Sequence, residues 1–498
     1  MQISRGFSLS GSRCFSLLTL SLVICGTSLL GAPAISYGND ASAHSNAVAA
    51  VTVDSSDPGA ASQPGNTFEA NKFGAKGDGV TDDTAAIQAA VDQAAKAGGS
   101  VHIGKGKYLV GSIELPSNIT VYGDGAQTVL SLRPQPLRRT KQAPGHLFLP
   151  KDMVTVASVE NVTIRDLALV GNSALQNGGK PMPLSGGLHG IAILGGKKWL
   201  VQRVRIEDFD GDGIYLGRNL NNSDAMAQGN VIENCVVRKN LRNGMMISHG
   251  DKNVLRNNLF EGNQVGMLCL PHPAQGSNVC GNPGSYPKFA PAVYGSAELD
   301  LEPNRIQTTG GVQKWEQVTN TVVDGNTFRD GNHLAIQIVK GAAEIAWTTI
   351  SNNTFQDNRD GQILVFAQNA HDNVITHNKF IVDDPSLMSN IIRLKGGSNN
   401  RIIDNSFTGA IQPRSDAHTI SIEPGPGIAT VRCTEFSGNT LDFKSVTPTA
   451  DVYVAKGVED SVIGNNTFVN GSGALRVDGG KVLQRADQSR CGSNSGSQ

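Results

Sequence analysis

The chain is poor in aromatic residues, in excess charge and in long apolar runs, and each shortage excludes something. Phe, Tyr and Trp make up 5% of its 498 residues. One globular core of that length would need bulkier filling, whereas a solenoid packs small aliphatic side chains in thin layers. Lys and Arg number 42 against 43 Asp and Glu, so the positive excess that nucleic-acid binding requires is missing. The one sustained apolar run, Phe15–Leu30, is shorter than the roughly 20 residues of a membrane span. Cysteine is scarce at 7 residues, and no CxxC or Cys/His spacing reads as a zinc site.

What is present begins with an export signal. Arg5 and Arg13 precede the apolar run, and small-residue cleavage sites follow at Ala32-Pro33-Ala34 and Ala41-Ser42-Ala43. Residues 1–43 are therefore expected to be a signal peptide, residues 44–66 a flexible linker, and the product secreted or periplasmic, with no membrane span. The oxidising compartment permits disulfides. Cys269 with Cys280 is the expected local pair, Cys433 has the tail residue Cys491 as its candidate partner, and Cys235 fits a buried free thiol.

From Asp82 to Ala97, Ile87, Ala90, Val91 and Ala94 recur at helical spacing, with Thr81 or Asp82 as cap and Gly98-Gly99 as stop. Short strands follow, separated by Gly, Asn and Asp. They repeat. Asn253-Val-Leu-Arg-Asn-Asn-Leu-Phe260 returns as Thr321-Val-Val-Asp-Gly-Asn-Thr-Phe328, Thr348-Thr-Ile-Ser-Asn-Asn-Thr-Phe355 and Asn373-Val-Ile-Thr-His-Asn-Lys-Phe380. Further copies end at Phe407 and Phe468, and the shared Asn falls at 258, 326, 353, 378, 405 and 466, with Asn439 in a looser copy. Such spacing is too short for a helical-pair repeat and suits one coil of a β-solenoid. Asn and Phe would then stack from coil to coil, about 4.8 Å apart. A second strand per coil, as in Gly213-Ile-Tyr-Leu216 and Ala335-Ile-Gln-Ile338, points Ile214, Leu216, Ile247, Ile336, Ile338, Ile363 and Val365 inward. Tyr215, Met246, Ser248, Gln337, Gln362 and Leu364 then face outward on a surface long enough for a polymer. The fold expected is all-β, a right-handed parallel β-helix over residues 67–478, with an N-terminal capping helix and a polar tail at 479–498.

The segment Phe73-Gly-Ala-Lys-Gly-Asp-Gly-Val-Thr-Asp-Asp-Thr-Ala-Ala-Ile-Gln-Ala-Ala-Val91 resembles the start of the pectate-lyase-like superfamily. It is most similar to the group related to family 28 glycoside hydrolases, rhamnogalacturonases and alginate C5-epimerases. Gly98-Gly-Ser-Val-His-Ile and Asn118-Ile-Thr-Val-Tyr-Gly-Asp-Gly125 continue the likeness, and Ala297-Glu-Leu-Asp-Leu-Glu-Pro-Asn304 looks like a segment of less characterised relatives. The resemblance implies a β-helix acting on polysaccharide. It departs at the reaction signatures. The Gly-His-Gly of the hydrolases is absent, and where secreted epimerases carry Asp-Pro-His this chain reads Gly213-Ile-Tyr-Leu-Gly-Arg218.

Asp300 and Glu302 alternate with Leu299 and Leu301, which puts both carboxylates on the outer face, about 6.6 Å apart along a strand. Glycosidase acids stand about 5–5.5 Å apart when retaining and about 6.5–9.5 Å when inverting, and neighbouring carboxylates raise one pKa, as a general acid needs. His249 is a candidate proton-transfer group one coil earlier. Residues 265–297 and 303–320 break the even repeat, and such insertions build binding rims; they supply His272, Tyr286, Tyr294, Arg305, Lys314 and Trp315. Tyr215, Gln337, Arg305, Lys314 and Trp315 are the expected substrate contacts. Asp208, Asp210 and Asp212 sit in a Gly-rich turn suited to backbone bonding, with Ca2+ or catalysis as the alternative. No other cofactor is expected. Arg133, Arg138, Arg139 and Lys141 form the one basic cluster. The expected function is glycoside hydrolysis by a carboxylate pair, with polysaccharide lyase or uronate C5-epimerase as the alternative. A non-catalytic glycan-binding β-helix is the third reading.

Overall fold

The computed structural model describes residues 66–134, 146–151, 158–179, 188–219, 221–222, 224–264, 268–271, 278–281, 296–306, 314–339, 342–384, 390–410, 418–443, 450–470 and 475–483. Their strands run from Thr67 to Leu483 and pair in parallel, apart from two short hairpins. The expected signal, residues 44–65 of the expected linker, His272, Tyr286, Tyr294, Arg138, Arg139, Lys141 and Cys491 lie outside the described residues.

The chain winds as a right-handed parallel β-helix. One sheet of 12 strands holds a strand from each coil in strict chain order, from Ile113–Leu115 to Leu475–Asp478. A sheet of 25 strands carries the Asn/Phe repeats. The corner between its two strands per coil explains the repeat: the residue before each shared Asn is left-handed, at Asn257, Gly325, Asn352, His377, Asp404, Gly438 and Asn465. Asn, Asp and Gly tolerate that conformation best.

The shared Asn then turns inward and bonds along the helix axis. Asn258 donates its backbone N–H and its Nδ2–H to Asn326 Oδ1, both at 2.9 Å, and Nδ2 also reaches Ile232 O at 2.9 Å. The same pattern links 326, 353, 378, 405, 439 and 466. These corner groups are paired and, Asn466 apart, buried, which removes the cost of about 1–3 kcal/mol each would carry unpaired. Beside the ladder, Phe260, Phe328, Phe355, Phe380 and Phe407 stack with ring centroids 4.6–5.1 Å apart and planes within 8° of parallel. Each such pair adds about 0.5–1.5 kcal/mol beyond burial.

The helix Thr84–Ala97 covers the first coils, burying Ile87, Ala90, Val91 and Ala94. Asp83, not Thr81 or Asp82, holds the N-cap position. Its carboxylate accepts from Lys76 and Gly77 N–H, while Asp82 accepts from Thr84 N–H at 3.1 Å. Cys235 is free and buried, and its thiol is pushed up to about 12 by burial. Cys433 is disulfide-bonded. The backbones of Cys269 and Cys280 face each other across an antiparallel hairpin.

Candidate functional site

The outward side chains of the 12-stranded sheet are not one continuous open face. Tyr215 is half-buried, but Met246, Ser248, Gln337, Gln362 and Leu364 are buried. The outward positions of the middle coils are themselves apolar: Val339, Leu364 and Phe366 pack with Ala297 and Leu334 into a second hydrophobic cluster. The face opens again at Arg393, Tyr453 and Arg476.

At the N-terminal opening a polar column stands at the start of successive strands. His189 N–H donates to His146 Nδ1 at 3.2 Å, and Asp212 N–H to His189 Nδ1 at 3.0 Å. Asn243 N–H donates to Asp212 Oδ1 at 3.1 Å, and Ala297 N–H to Asn243 Oδ1 at 2.8 Å. Each side chain thus accepts the amide of the next coil, as the Asn ladder does. A neutral imidazole whose Nδ1 accepts carries its proton on Nε2. The rings stack outward in order: His146 on His189 at 4.6 Å, His189 on Tyr215 at 4.9 Å.

Three features make Tyr215 the centre of the opening. Its hydroxyl lies 2.9 Å from Ser248 Oγ on the next coil. Its pKa is pushed up to about 12, by burial first and by the Glu316 carboxylate second, so it stays protonated at neutral pH. Arg242 stands on the same side, with its Nε donating to Asp212 at 2.6 Å and a second nitrogen also bonded to that carboxylate. Burial would lower the Arg242 pKa, but the fully buried Asp212 carboxylate bonded to it holds it above its ordinary value.

Asp300 lies in register between Met246 and Gln337. Unlike the outward carboxylate expected from the strand alternation, it is fully buried. Burial raises its pKa well above the usual carboxylate range, and the Glu302 carboxyl beside it raises it further. Asn243 Nδ2 donates to its Oδ2 at 3.3 Å, and the Gln337 amide and the Glu302 carboxyl lie beside it. Glu302 is half-buried. It continues the register beside Ser248 through its N–H to Ile247 O bond of 3.1 Å.

His249 is buried, its Nδ1 accepts Gln317 N–H at 3.0 Å, and burial lowers its pKa. Arg305, Ile306, Lys314 and Trp315 form a hairpin. Glu316 ties it down by accepting from Arg218 Nε at 3.0 Å and from Asn304 N–H at 2.9 Å. Arg305 is exposed, Trp315 is half-buried, and Lys314 pairs with Asp224. The structure therefore gathers Tyr215, Asp300 and Glu302, with Gln337 beside Asp300, and gives His249 to a backbone contact. Of the three turn aspartates, Asp208 accepts from Ser173, Asp210 from Leu188 N–H, and Asp212 holds Arg242. Among the described residues no three His, Cys, Asp or Glu side chains gather as a metal cage.

Sequence reading alone passed over His146, His189, Arg242 and Glu316. A signal existed for the column: His189-Gly-Ile-Ala-Ile, Asp212-Gly-Ile-Tyr-Leu and Asn243-Gly-Met-Met-Ile align on one polar residue before each strand. None existed for Glu316, which a hairpin delivers.

Known proteins agree with this architecture. The family described as "Right handed beta helix region" matches residues 154–274 and 189–381. The one described as "Rhamnogalacturonase A/epimerase, pectate lyase-like" matches residues 67–146. Mannuronan C5-epimerase AlgE3 of Azotobacter vinelandii is 32% identical over 249 residues, 41% of this chain and 13% of that protein. Alginate lyase 7 of the same organism is 45% identical over 75 residues, 13% of this chain and 9% of its own length. This chain thus spans less than a sixth of either relative. The family 28 exopolygalacturonase of Yersinia enterocolitica superposes with a TM-score of 0.57 at 16% identity, over 84% of this chain and 78% of its own. The chain is thus a right-handed parallel β-helix whose residues 67–146 are similar to the rhamnogalacturonase A/epimerase, pectate lyase-like family.

Proposed function

We propose that this protein is a polysaccharide lyase or C5-epimerase that moves the C5 proton of a uronate unit at the Tyr215 opening. The observation that carries the reading is a protonated, half-buried phenol beside a fixed guanidinium, with a carboxylate two coils away. A C5–H is acidic enough to remove only when the adjacent carboxylate is neutralised, and Arg242 supplies a permanent cation for it. The base is Glu302. Neither imidazole competes, because His189 Nδ1 and His249 Nδ1 are both engaged by backbone N–H groups.

In elimination, Glu302 takes the C5 proton, the C4–O4 bond breaks, a C4=C5 double bond forms, and Tyr215 protonates the departing O4. In epimerisation, Tyr215 instead returns a proton to the opposite face of C5. In both cases the phenolate is reprotonated by solvent and Glu302 gives up its proton. Likeness to a mannuronan C5-epimerase and to an alginate lyase supports this class, and the expected signal at residues 1–43 would carry the enzyme to extracellular polymer.

A second reading, hydrolysis with Asp300 as acid and Glu302 as its partner, is favoured by the raised Asp300 pKa. Full burial of Asp300 counts against it, since a general acid must touch the glycosidic oxygen. Incubation with uronic and neutral polysaccharides in D2O separates the two. NMR should show deuterium at C5 or 4,5-unsaturated ends, and Tyr215→Phe should lower that rate at least about 100-fold. New reducing ends with neither signal would replace this reading with hydrolysis. An undiminished Tyr215→Phe enzyme would remove Tyr215 from the mechanism.

A further inference from the structure

Each coil turns one corner on a left-handed residue that follows the strand pair Val318–Thr319, Ile345–Ala346 and their equivalents. Down the column these are Asn118, Asn161, Lys198, Gly229, Lys252, Asn320, Trp347, Asp372, Asn399, Cys433 and Asp460, with φ between 50° and 64°. Backbone bonds fix the alignment: Asn320 N–H reaches Ala346 O, Trp347 N–H reaches His371 O, and Asp372 N–H reaches Ser398 O. Asn, Asp and Gly are the residues suited to this conformation, and a bulky side chain there is an outlier. Lys198, Lys252 and Cys433 also depart from that set, and Trp347, with φ 54°, is the bulkiest departure and the one aromatic of the column. It is also 49% exposed, the one aromatic among the exposed large hydrophobic residues of the described part of the chain.

Burial does not explain it, and neither does backbone preference. The indole is nevertheless held in place. His371 meets it at a centroid distance of 5.3 Å with planes 88° apart, a perpendicular contact that covers at most one of the indole faces. His371 is itself fixed at both nitrogens, by Asp372 at 2.7 Å and by Glu344 at 3.5 Å. Asn399 holds Asp372 in turn. Strain retained at a braced, exposed position marks a functional surface.

We infer that Trp347 is a sugar-stacking platform, a polysaccharide-binding site separate from the Tyr215 opening. An indole face matches the apolar face of a pyranose ring. The half-exposed Glu344 and Asp372 carboxylates, at 38% and 36%, accept from hydroxyl groups and repel uronates. The site therefore takes a neutral polysaccharide. It would hold the enzyme on a neutral polymer near its acidic substrate.

The experiment is affinity electrophoresis of the full chain in gels containing hydroxyethylcellulose, glucomannan or polygalacturonate, with Trp347→Asn and Trp347→Phe alongside. Wild type should be retarded by a neutral polymer, Trp347→Asn should lose at least about tenfold in affinity, and Trp347→Phe should keep part of it. Because Asn suits the corner, the melting temperature of Trp347→Asn should equal or exceed that of wild type. Its activity on short soluble uronates should not change. Three results overturn the inference: no retardation of wild type by either neutral polymer, equal retardation of Trp347→Asn, or a lower melting temperature for it. Trp347-dependent retardation by polygalacturonate alone would overturn the neutral class.

Discussion

Glu298 offers the sharpest test of how this β-helix is held together. A third buried ladder runs through Asn240 and Asn263 to Asn358, and its missing member is at Gly331. Asn240 donates from N and Nδ2 to Asn263 Oδ1 at 3.0 and 2.8 Å, and Gly331 N–H donates to Asn358 Oδ1 at 3.0 Å. Between them the Glu298 carboxyl fills the gap, accepting Asn263 N–H at 2.9 Å and Asn263 Nδ2–H through its other oxygen. A Cβ on Gly331 would stand 2.8 Å from Glu298 Oε1, so the glycine and the glutamate fit together.

Burial raises the Glu298 pKa from 4.5 to about 8, with Glu261 and Asp330 adding to the rise. A raised acid favours the fold while protonated. Its contribution is complete below pH 4.5 and is lost as pH climbs through about 8. At about 1.4 kcal/mol per pH unit, the span from 4.5 to about 8 sets a ceiling of about 5 kcal/mol. Glu298→Gln keeps the acceptor and removes the ionisation. It should be nearly neutral at pH 4.5 and more stable than wild type at pH 9, by at least about 2 kcal/mol or several degrees in melting temperature. Gly331→Asn should destabilise by collision, and the pair Gly331→Asn with Glu298→Ala should recover much of the loss by restoring the ladder. Thermal melts at both pH values decide it. Equal stability gains for Glu298→Gln at pH 4.5 and 9 would refute the argument.

Other outcomes follow from the same contacts. Phe355→Ala removes a ring stacked on both sides and should cost about 3–5 kcal/mol in chemical denaturation; a loss below 1 kcal/mol would mean the stack contributes little. Asp212→Asn leaves Arg242 without its buried counter-charge and should cost about 3–5 kcal/mol. It should also suppress C5 proton exchange. Adding Arg242→Gln should restore stability but not exchange, and recovery of both would show that Arg242 only serves the fold.

Much of this molecule is legible before folding. The Asn/Phe spacing gives the coil length, because stacking in register requires the same residue at the same corner each time. The helix Thr84–Ala97 and the inward set around Ile214, Ile336 and Ile363 follow from periodicity alone. Strand alternation also puts Asp300 and Glu302 on one side of their strand. It does not say whether that side meets solvent. Alternation is a property of one strand, whereas exposure depends on Val339, Leu364 and Phe366 packing over neighbouring coils.

The remainder needed tertiary structure for the same reason. His146, His189, Asp212 and Asn243 are separated by 23 to 43 residues, and their bonds exist only because successive coils lie one strand spacing apart. Glu316 reaches Arg218 across 98 residues. Local sequence dictates which residues a coil presents at each corner. The stacking of coils decides which of them meet, which nitrogen of a histidine keeps its proton, and which carboxyl stays neutral.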